Sequence, residues 1–274
     1  MKEKILFLDL DGTLLTTDKQ ISPGNRAALE EALAQGHRVV INTGRPLASA
    51  ILQNEKLGLT KPGCYLIAFN GGMIYDSYRR EIIHSQSLPM DVAQAVLRLC
   101  DSRGVHVQTY DREHVLVEPK WEDEMLRVYC GRIHMDYHVV SDFSKDLVEA
   151  PAKVLAISFT DRASLESLQA DIQKNYPQVE ASFSCKQYLE IVPRGVHKGN
   201  ALRMLCDKLG MDVEDSVAAG DEENDLAMLR AAGVGCAMAN GVPAAKEAAD
   251  YVTRNTNDQD GVAEIVHKFL LCDR

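Results

Sequence analysis

Near the N-terminus four apolar residues, Ile5, Leu6, Phe7 and Leu8, run directly into Asp9-Leu10-Asp11-Gly12-Thr13. An unbroken apolar run of this kind suits a strand buried on both faces, the habit of central strands in parallel sheets. Such a strand has no reason to finish on two acids unless a cation or a proton transfer accounts for them. While a chain stays extended, residues two apart point the same way, so this spacing predicts that Asp9 and Asp11 address one reaction centre. Gly12 then lets the backbone turn out of the strand.

The rhythm that follows fits a doubly wound α/β fold with a mostly parallel, Rossmann-like sheet. Ser22-Pro23 reads as a helix cap and first helical residue, with an apolar stripe at Ala27, Ala28, Leu29, Ala32 and Leu33 and a stop at Gly36. A strand over 38–43 ends at Thr43-Gly44-Arg45, a helix runs from Pro46 to about Leu57, and a third strand over 64–69 ends at Asn70-Gly71-Gly72. From about Tyr75 hairpins replace this alternation, which predicts an inserted α+β module at 84–188 within a discontinuous core, 1–83 and 189–274. The stretch Tyr188–Pro193 reads either as the last strand of the insertion or as the return to the core. Beyond it, Lys198-Gly199 opens a helix, and Ser216–Ala219 is a short buried strand ending at Gly220-Asp221-Glu222-Glu223-Asn224-Asp225.

With 274 residues the chain has room for two domains, and its net charge of -10 argues against nucleic acid or an anionic membrane as a partner. A local pocket for a small anion is compatible with that charge. The seven cysteines are odd in number and scattered, without Cys-x-x-Cys spacing, and read as reduced, mostly buried thiols. No signal-peptide pattern precedes the first strand and no apolar run nears spanning length, so a soluble cytoplasmic protein is expected. The oligomeric state is left open.

In an open α/β sheet, ligands bind beyond the carboxyl ends of the strands, where the strand order reverses. Asp9, Asp11, Thr43, Asn70 and Asp221 all fall at such ends. They meet in one crevice if the first strand is central, with the second and third strands on one side and the Asp221 strand on the other. Carboxylates from Asp9, Asp11 and Asp221, with Asp225 nearby, would repel one another, and a divalent cation resolves the conflict. An all-oxygen ligand set favours Mg²⁺. Thr43, Lys198 and the backbone amides after Asp9, beginning with Leu10, could hold phosphate oxygens.

Four ordered motifs, Asp9-x-Asp11-Gly12-Thr13, Thr43-Gly44-Arg45, Lys198-Gly199 and Gly220-Asp221-x-x-Asn224-Asp225, resemble those of the haloacid dehalogenase superfamily of phosphohydrolases. The large insertion between the second and third, together with Asn70-Gly71-Gly72, is similar to the cap arrangement of the Cof-type subgroup. The resemblance implies Asp9 as nucleophile and Asp11 as general acid and base. It implies Mg²⁺ held by Asp9, the Asp11 carbonyl and Asp221, with Thr43 and Lys198 on the phosphoryl group and Gly44 shaping the loop. Asn224 would orient Lys198 or contact phosphate, Asn70 would contact substrate, and Asp225 would support the metal indirectly. The implied activity is a Mg²⁺-dependent phosphatase acting on a small phosphorylated metabolite, a sugar phosphate or similar, with the cap selecting substrate. A phosphomutase and a non-catalytic metabolite-binding protein are the rival readings.

Other features read as structural. His134 and His138 are four apart, a metal-capable spacing on a helix, but Asp136–Val140 reads as extended, which makes them a solvated surface. Trp121 reads as packing. Tyr188 and Arg194 are candidate leaving-group contacts.

Overall fold

The computed structural model describes residues 2–272. In chain order the elements are β1 (Ile5–Leu8), α1 (Pro23–Ala34), β2 (Arg38–Asn42), α2 (Leu47–Leu57), β3 (Cys64–Ala68), β4 (Met73–Asp76) and β5 (Glu81–Ser85). Next come α3 (Met90–Ser102), β6 (His106–Tyr110), β7 (Val115–Val117), α4 (Glu124–Ile133), β8 (Tyr137–Val139), α5 (Phe143–Asp146), β9 (Val154–Ile157), α6 (Arg162–Asn175), β10 (Val179–Cys185) and β11 (Tyr188–Pro193). The last are α7 (Lys198–Leu209), β12 (Ser216–Gly220), α8 (Leu226–Ala231), β13 (Val234–Ala237), α9 (Pro243–Ala248), β14 (Tyr251–Val252) and α10 (Gly261–Phe269). They fall into two compact units. The first takes the chain up to Gly44, Ala50–Ile83 and the chain from His197, and the second takes Arg45–Ser49 and His84–Val196.

The first unit is organised around β1, whose four side chains are fully buried because the strand pairs in parallel with β2 on one side and β12 on the other. The eight-stranded sheet runs β14-β13-β12-β1-β2-β3-β4-β5, parallel from β14 to β3 and antiparallel between β3 and β4. The chain therefore winds outward in one direction from β1 and later in the other from β12. The strand order reverses between these two strands, so the crevice lies at their carboxyl ends. Helix α1 begins as its sequence dictates, with Pro23 in the first turn and the Ser22 hydroxyl accepting a hydrogen bond from the Asn25 amide at 3.3 Å.

The second unit carries a six-stranded sheet, β10-β11-β9-β6-β7-β8, antiparallel except for β7–β8. Strand β11 pairs with both β10 and β9, which settles the ambiguity of Tyr188–Pro193: it belongs to this sheet. The chain rejoins the first unit at His197, not at the expected 189. Sequence pattern could not separate the two possibilities, because a buried strand of either sheet reads as the same apolar run. Val107, Ala156, Leu189 and Ile191 face a core shared with α3 and α6. Beside them along the strands are His106, Gln108, Lys153 and Glu190, buried but polar.

These buried polar groups are bonded to one another and to α4. Lys153 Nζ donates to Glu190 Oε2 at 3.0 Å, and Gln108 Nε2 donates to the Tyr110 hydroxyl at 3.4 Å. The hydroxyls of Tyr110 and Tyr129 are 2.6 Å apart, and His106 Nδ1 lies 2.9 Å from Asp123 Oδ2. Asp123 also caps α4 by accepting from the Leu126 amide at 3.0 Å. Helix α4 had no counterpart in the sequence reading, although Leu126, Tyr129, Cys130 and Ile133 form a helical stripe behind a capping aspartate. Edge strand β14 was also unforeseen, being only two residues long. Trp121 packs against the apolar cluster, as expected. Helix α4 ends at His134 and His138 sits in β8, so the helical geometry that would pair these histidines is absent.

The Lys153–Glu190 pair is almost fully shielded, with side chains 1% and 7% exposed. Lys153→Met removes the cation facing a buried carboxylate and is expected to cost about 3–5 kcal/mol. Adding Glu190→Leu should recover most of that loss, and denaturant unfolding of the single and double variants measures both.

Candidate active site

The ladder of β1 extends one residue beyond its last apolar side chain, with the Asp9 amide donating to the Ala219 carbonyl of β12 at 3.0 Å. The backbone then leaves the sheet, and the Leu14 and Leu15 amides donate back to the carbonyls of Asp9 and Leu10 at 3.3 and 2.8 Å. Leu10 lies in this turn with its side chain buried. Alternation therefore stops before Asp11, and the two acids have different partners. Asp11, with its side chain 39% exposed, is 2.8 Å from Lys19 Nζ. Asp9 is buried against Lys198. Strand alternation therefore does not govern Asp11, because the strand ends before it.

Gly12 stands at φ +86°, and a Cβ there would meet Asp221 Oδ2 at 2.3 Å. The position thus needs glycine both for its backbone and for the carboxylate that occupies the space. Thr13 completes the contact, its hydroxyl donating to Asp221 Oδ1 at 2.7 Å. Asn240 Nδ2 holds the Gly12 carbonyl at 2.8 Å. The loop after β1 and the end of β12 are therefore built as a pair.

Lys198 enters from the first turn of α7, after His197, whose ring accepts the Asn200 amide as the helix cap. Its side chain is fully buried, with Nζ 2.5 Å from Asp9 Oδ1 and 2.6 Å from Asp225 Oδ1. The other oxygen of Asp225 accepts the amides of Asp221 and Glu222 at 2.9 and 3.1 Å. A Cβ on Gly220 would strike the Asp225 side chain at 2.4 Å. Asp225, not Asn224, therefore orients the lysine. Asn224 Nδ2 instead reaches Asn70 Oδ1 at 3.3 Å. Asn42, which belongs to none of the four motifs, donates from Nδ2 to the Lys198 carbonyl at 3.1 Å and secures the start of α7.

Thr43 is buried at the end of β2, tied to β3 through its amide and to Asn70 through its carbonyl, at 2.9 and 3.0 Å. Asn70 adopts φ +56°, in the left-handed region that asparagine tolerates better than most side chains. Its side chain would lie 2.9 Å from a Cβ on Gly44, so the Thr43-Gly44 turn and Asn70 fit together only with glycine present. Asp9, Asp221, Lys198, Thr43, Gly44, Asn70 and Asn224 all belong to the first unit, as does Asp11. Tyr188 and Arg194 belong to the second. There the Tyr188 hydroxyl accepts from Arg132 at 3.2 Å and its ring meets Tyr129 edge-on.

One carboxylate oxygen from each of Asp9, Asp221 and Asp225 lies within 4.8 Å of the others. Three carboxylates against one ammonium leave a formal excess of two negative charges if all are ionised. Burial pushes the Asp9 carboxyl well above the usual range; Lys198 opposes this, while Asp225 and Asp221 add to it. Burial likewise lifts Asp221 to about 7, opposed by the Thr13 hydroxyl and reinforced by Asp225. Burial works to lower the Lys198 ammonium, but Asp225 and Asp9 outweigh it and the lysine stays charged. Since Asp225 is occupied by Lys198 and two amides, Asp9 and Asp221 are the carboxylates available to a divalent cation. Hard oxygen donors with two charges to balance fit Mg²⁺.

This architecture is that of a known enzyme class. The sequence profile of the haloacid dehalogenase-like hydrolases matches residues 6–266, and the chain belongs to that family, in its Cof-type branch. It is 32% identical over 280 residues to 5-amino-6-(5-phospho-D-ribitylamino)uracil phosphatase YitU of Bacillus subtilis, covering 98% of each chain. Among solved structures, a haloacid dehalogenase-like hydrolase from Bacteroides thetaiotaomicron superposes with a TM-score of 0.89 at 32% identity, over 97% of this chain and 99% of the other. The subclass IIB sugar phosphatase BT4131 superposes with a TM-score of 0.81 at 25% identity, over 97% and 98%. Among the described residues, no helix is long and apolar enough to cross a membrane.

Gly12→Ala should displace Asp221 while leaving the strands intact. A displacement on the order of 1 Å at a catalytic centre costs about a hundredfold in turnover. A steady-state assay beside a circular dichroism spectrum checks both halves of the expectation.

Proposed function

We propose that this protein is a Mg²⁺-dependent phosphatase that hydrolyses small phosphorylated metabolites, sugar phosphates foremost, through an aspartyl-phosphate intermediate. The observation that carries the reading is the fully buried Lys198 clamped between Asp9 and Asp225, with Asp221 adding a third carboxylate to the cluster. Asp9 and Asp221, with the Asp11 carbonyl, would hold the Mg²⁺. When bound, the ion supplies positive charge that offsets the carboxylates and the phosphoryl oxygens.

The residues then have distinct tasks. Lys198 fixes Asp9 by a charge-assisted hydrogen bond and presents positive charge where phosphoryl oxygens gather. An Asp9 oxygen attacks phosphorus while the bond to the leaving oxygen breaks, and Asp11 gives that oxygen a proton. Water next attacks phosphorus, Asp11 takes a proton from it, the Asp9–phosphate bond breaks, and phosphate departs. The amide of Leu10 and the Thr43 hydroxyl would bind phosphoryl oxygens, Gly44 would give the loop room to do so, and Asn224 and Asn70 would contact substrate. The inserted segment, His84–Val196, would serve as the cap that selects substrate, with Tyr188 and Arg194 as its candidate contacts to the leaving group. BT4131, a sugar phosphatase, supports the substrate class, and the compound in the name of YitU carries its phosphate on a ribityl chain.

The decisive assay is phosphate release from a panel of sugar phosphates, nucleotides, pyridoxal phosphate and a chromogenic monoester. Release should require Mg²⁺, vanish with chelator and vanish in Asp9→Asn, with sugar phosphates ranking first. Rearranged sugar phosphate without free phosphate would replace this reading with a mutase, and tight binding without turnover would replace it with a binding protein.

Mg²⁺ affinity should also depend on pH. Asp221 titrates at about 7, so below that pH it carries a proton that a metal ion must displace. Affinity should therefore fall on acidification below that point, by roughly tenfold or more for each pH unit, because burial raises the Asp9 carboxyl as well. Calorimetric titration of Mg²⁺ at several pH values reads this directly.

A further inference from the structure

A second set of metal-capable side chains converges in the other unit. Ligand atoms of Asp111, His114 and His138 all lie within 4.8 Å of one another. Asp111 and His114 come from the turn between β6 and β7, and His138 from the middle of β8, where it stands opposite Leu116 of β7. His114 shares a face with Leu116, two residues along, so the parallel register brings the two histidines together. Their rings stack with centroids 3.7 Å apart and planes 16° from parallel. The Asp111 carboxylate is fixed by the amides of Glu113 and His114 at 2.7 and 2.6 Å, with Oδ1 3.4 Å from His114 Nδ1.

We propose that Asp111, His114 and His138 form a binding site for a divalent transition-metal ion of the zinc type, separate from the catalytic carboxylates. Two imidazoles and one carboxylate are the donors that zinc accepts in sites with an open fourth position, whereas Mg²⁺ prefers a wholly oxygen set. Ligand bonds of about 2.0–2.1 Å in a tetrahedron bring donors to roughly 3.3 Å apart. Asp111 and His138 are exposed and His114 is half-buried, so binding would draw the first two side chains toward the third and unstack the imidazole rings. His134 takes no part, because it ends α4 in a left-handed conformation. The ion would tie β8, a three-residue strand at the sheet edge, to the turn before β7. The inference does not rest on the phosphatase reading, since none of the three residues belongs to the catalytic unit.

The test uses the full chain, stripped with chelator and titrated with ZnCl₂ by calorimetry and by thermal unfolding. It is run in the wild type and in Asp221→Asn, which disables the catalytic carboxylate cluster. Zinc binding accompanied by a higher unfolding temperature should persist in Asp221→Asn. Adding His114→Ala or His138→Ala to that background should weaken binding by roughly tenfold or more and abolish the thermal shift. Excess Mg²⁺ should not compete. Because both histidines lie at the surface, these variants are expected to fold, and their metal-free unfolding temperatures confirm it. Zinc binding unchanged by either histidine variant would place the ion on the thiols or the catalytic cluster and overturn the proposal. Absence of binding would overturn it equally.

Discussion

The site depends on one buried ammonium. Lys198 is fully shielded from solvent, and taking such a charge out of water costs several kcal/mol unless it is matched. Asp9 and Asp225 match it, and the surrounding backbone is shaped to keep them in place. Asp225 is fixed by two amides, Gly220 leaves room for it, and Asn42 secures the turn from which the lysine projects. Asp221, held by Thr13 over the open face of Gly12, then brings the local charge into excess. A cluster whose burial and mutual repulsion raise its carboxyl groups is poorly balanced by itself. A bound cation would supply the missing charge.

The second unit handles buried charge differently. Lys153 faces Glu190 across adjacent strands, and the nearby row of His106, Gln108 and Tyr110 is bonded side to side and out to Asp123 and Tyr129. Here a buried ammonium faces a buried carboxylate directly. Helix α4 is tied to this sheet by hydrogen bonds from its cap, Asp123, and from Tyr129. Bonds of that kind are directional, so they fix where the helix sits along the strands as well as that it packs there.

Much of the architecture was legible locally. The apolar run before Asp9, the Ser22-Pro23 helix start, and glycines closing helices and turns each act within a few residues, where propensity and periodicity operate. The position of β1 between β2 and β12 entered only as the condition for the strand ends to meet in one crevice, and the sheet order meets that condition. Reading failed where regular structure stopped or where two structures share one pattern. Asp11 departs from alternation because the strand ends at its neighbour. Strand β11 has the same apolar signature whichever sheet receives it. Helix α4 did carry a stripe and a cap, and was missed beside more conspicuous strands.

By itself the sequence determined the elements, the family-defining order of motifs and the side chains that could do chemistry. Those features arise from contacts between near neighbours and from residue type. Tertiary structure alone decided how those side chains are matched: Lys198 with Asp9, 189 residues away, Thr13 with Asp221, and His114 with His138 across two strands. Such pairings depend on strand register and helix placement, which are set by packing summed over the whole core, and no local pattern records them.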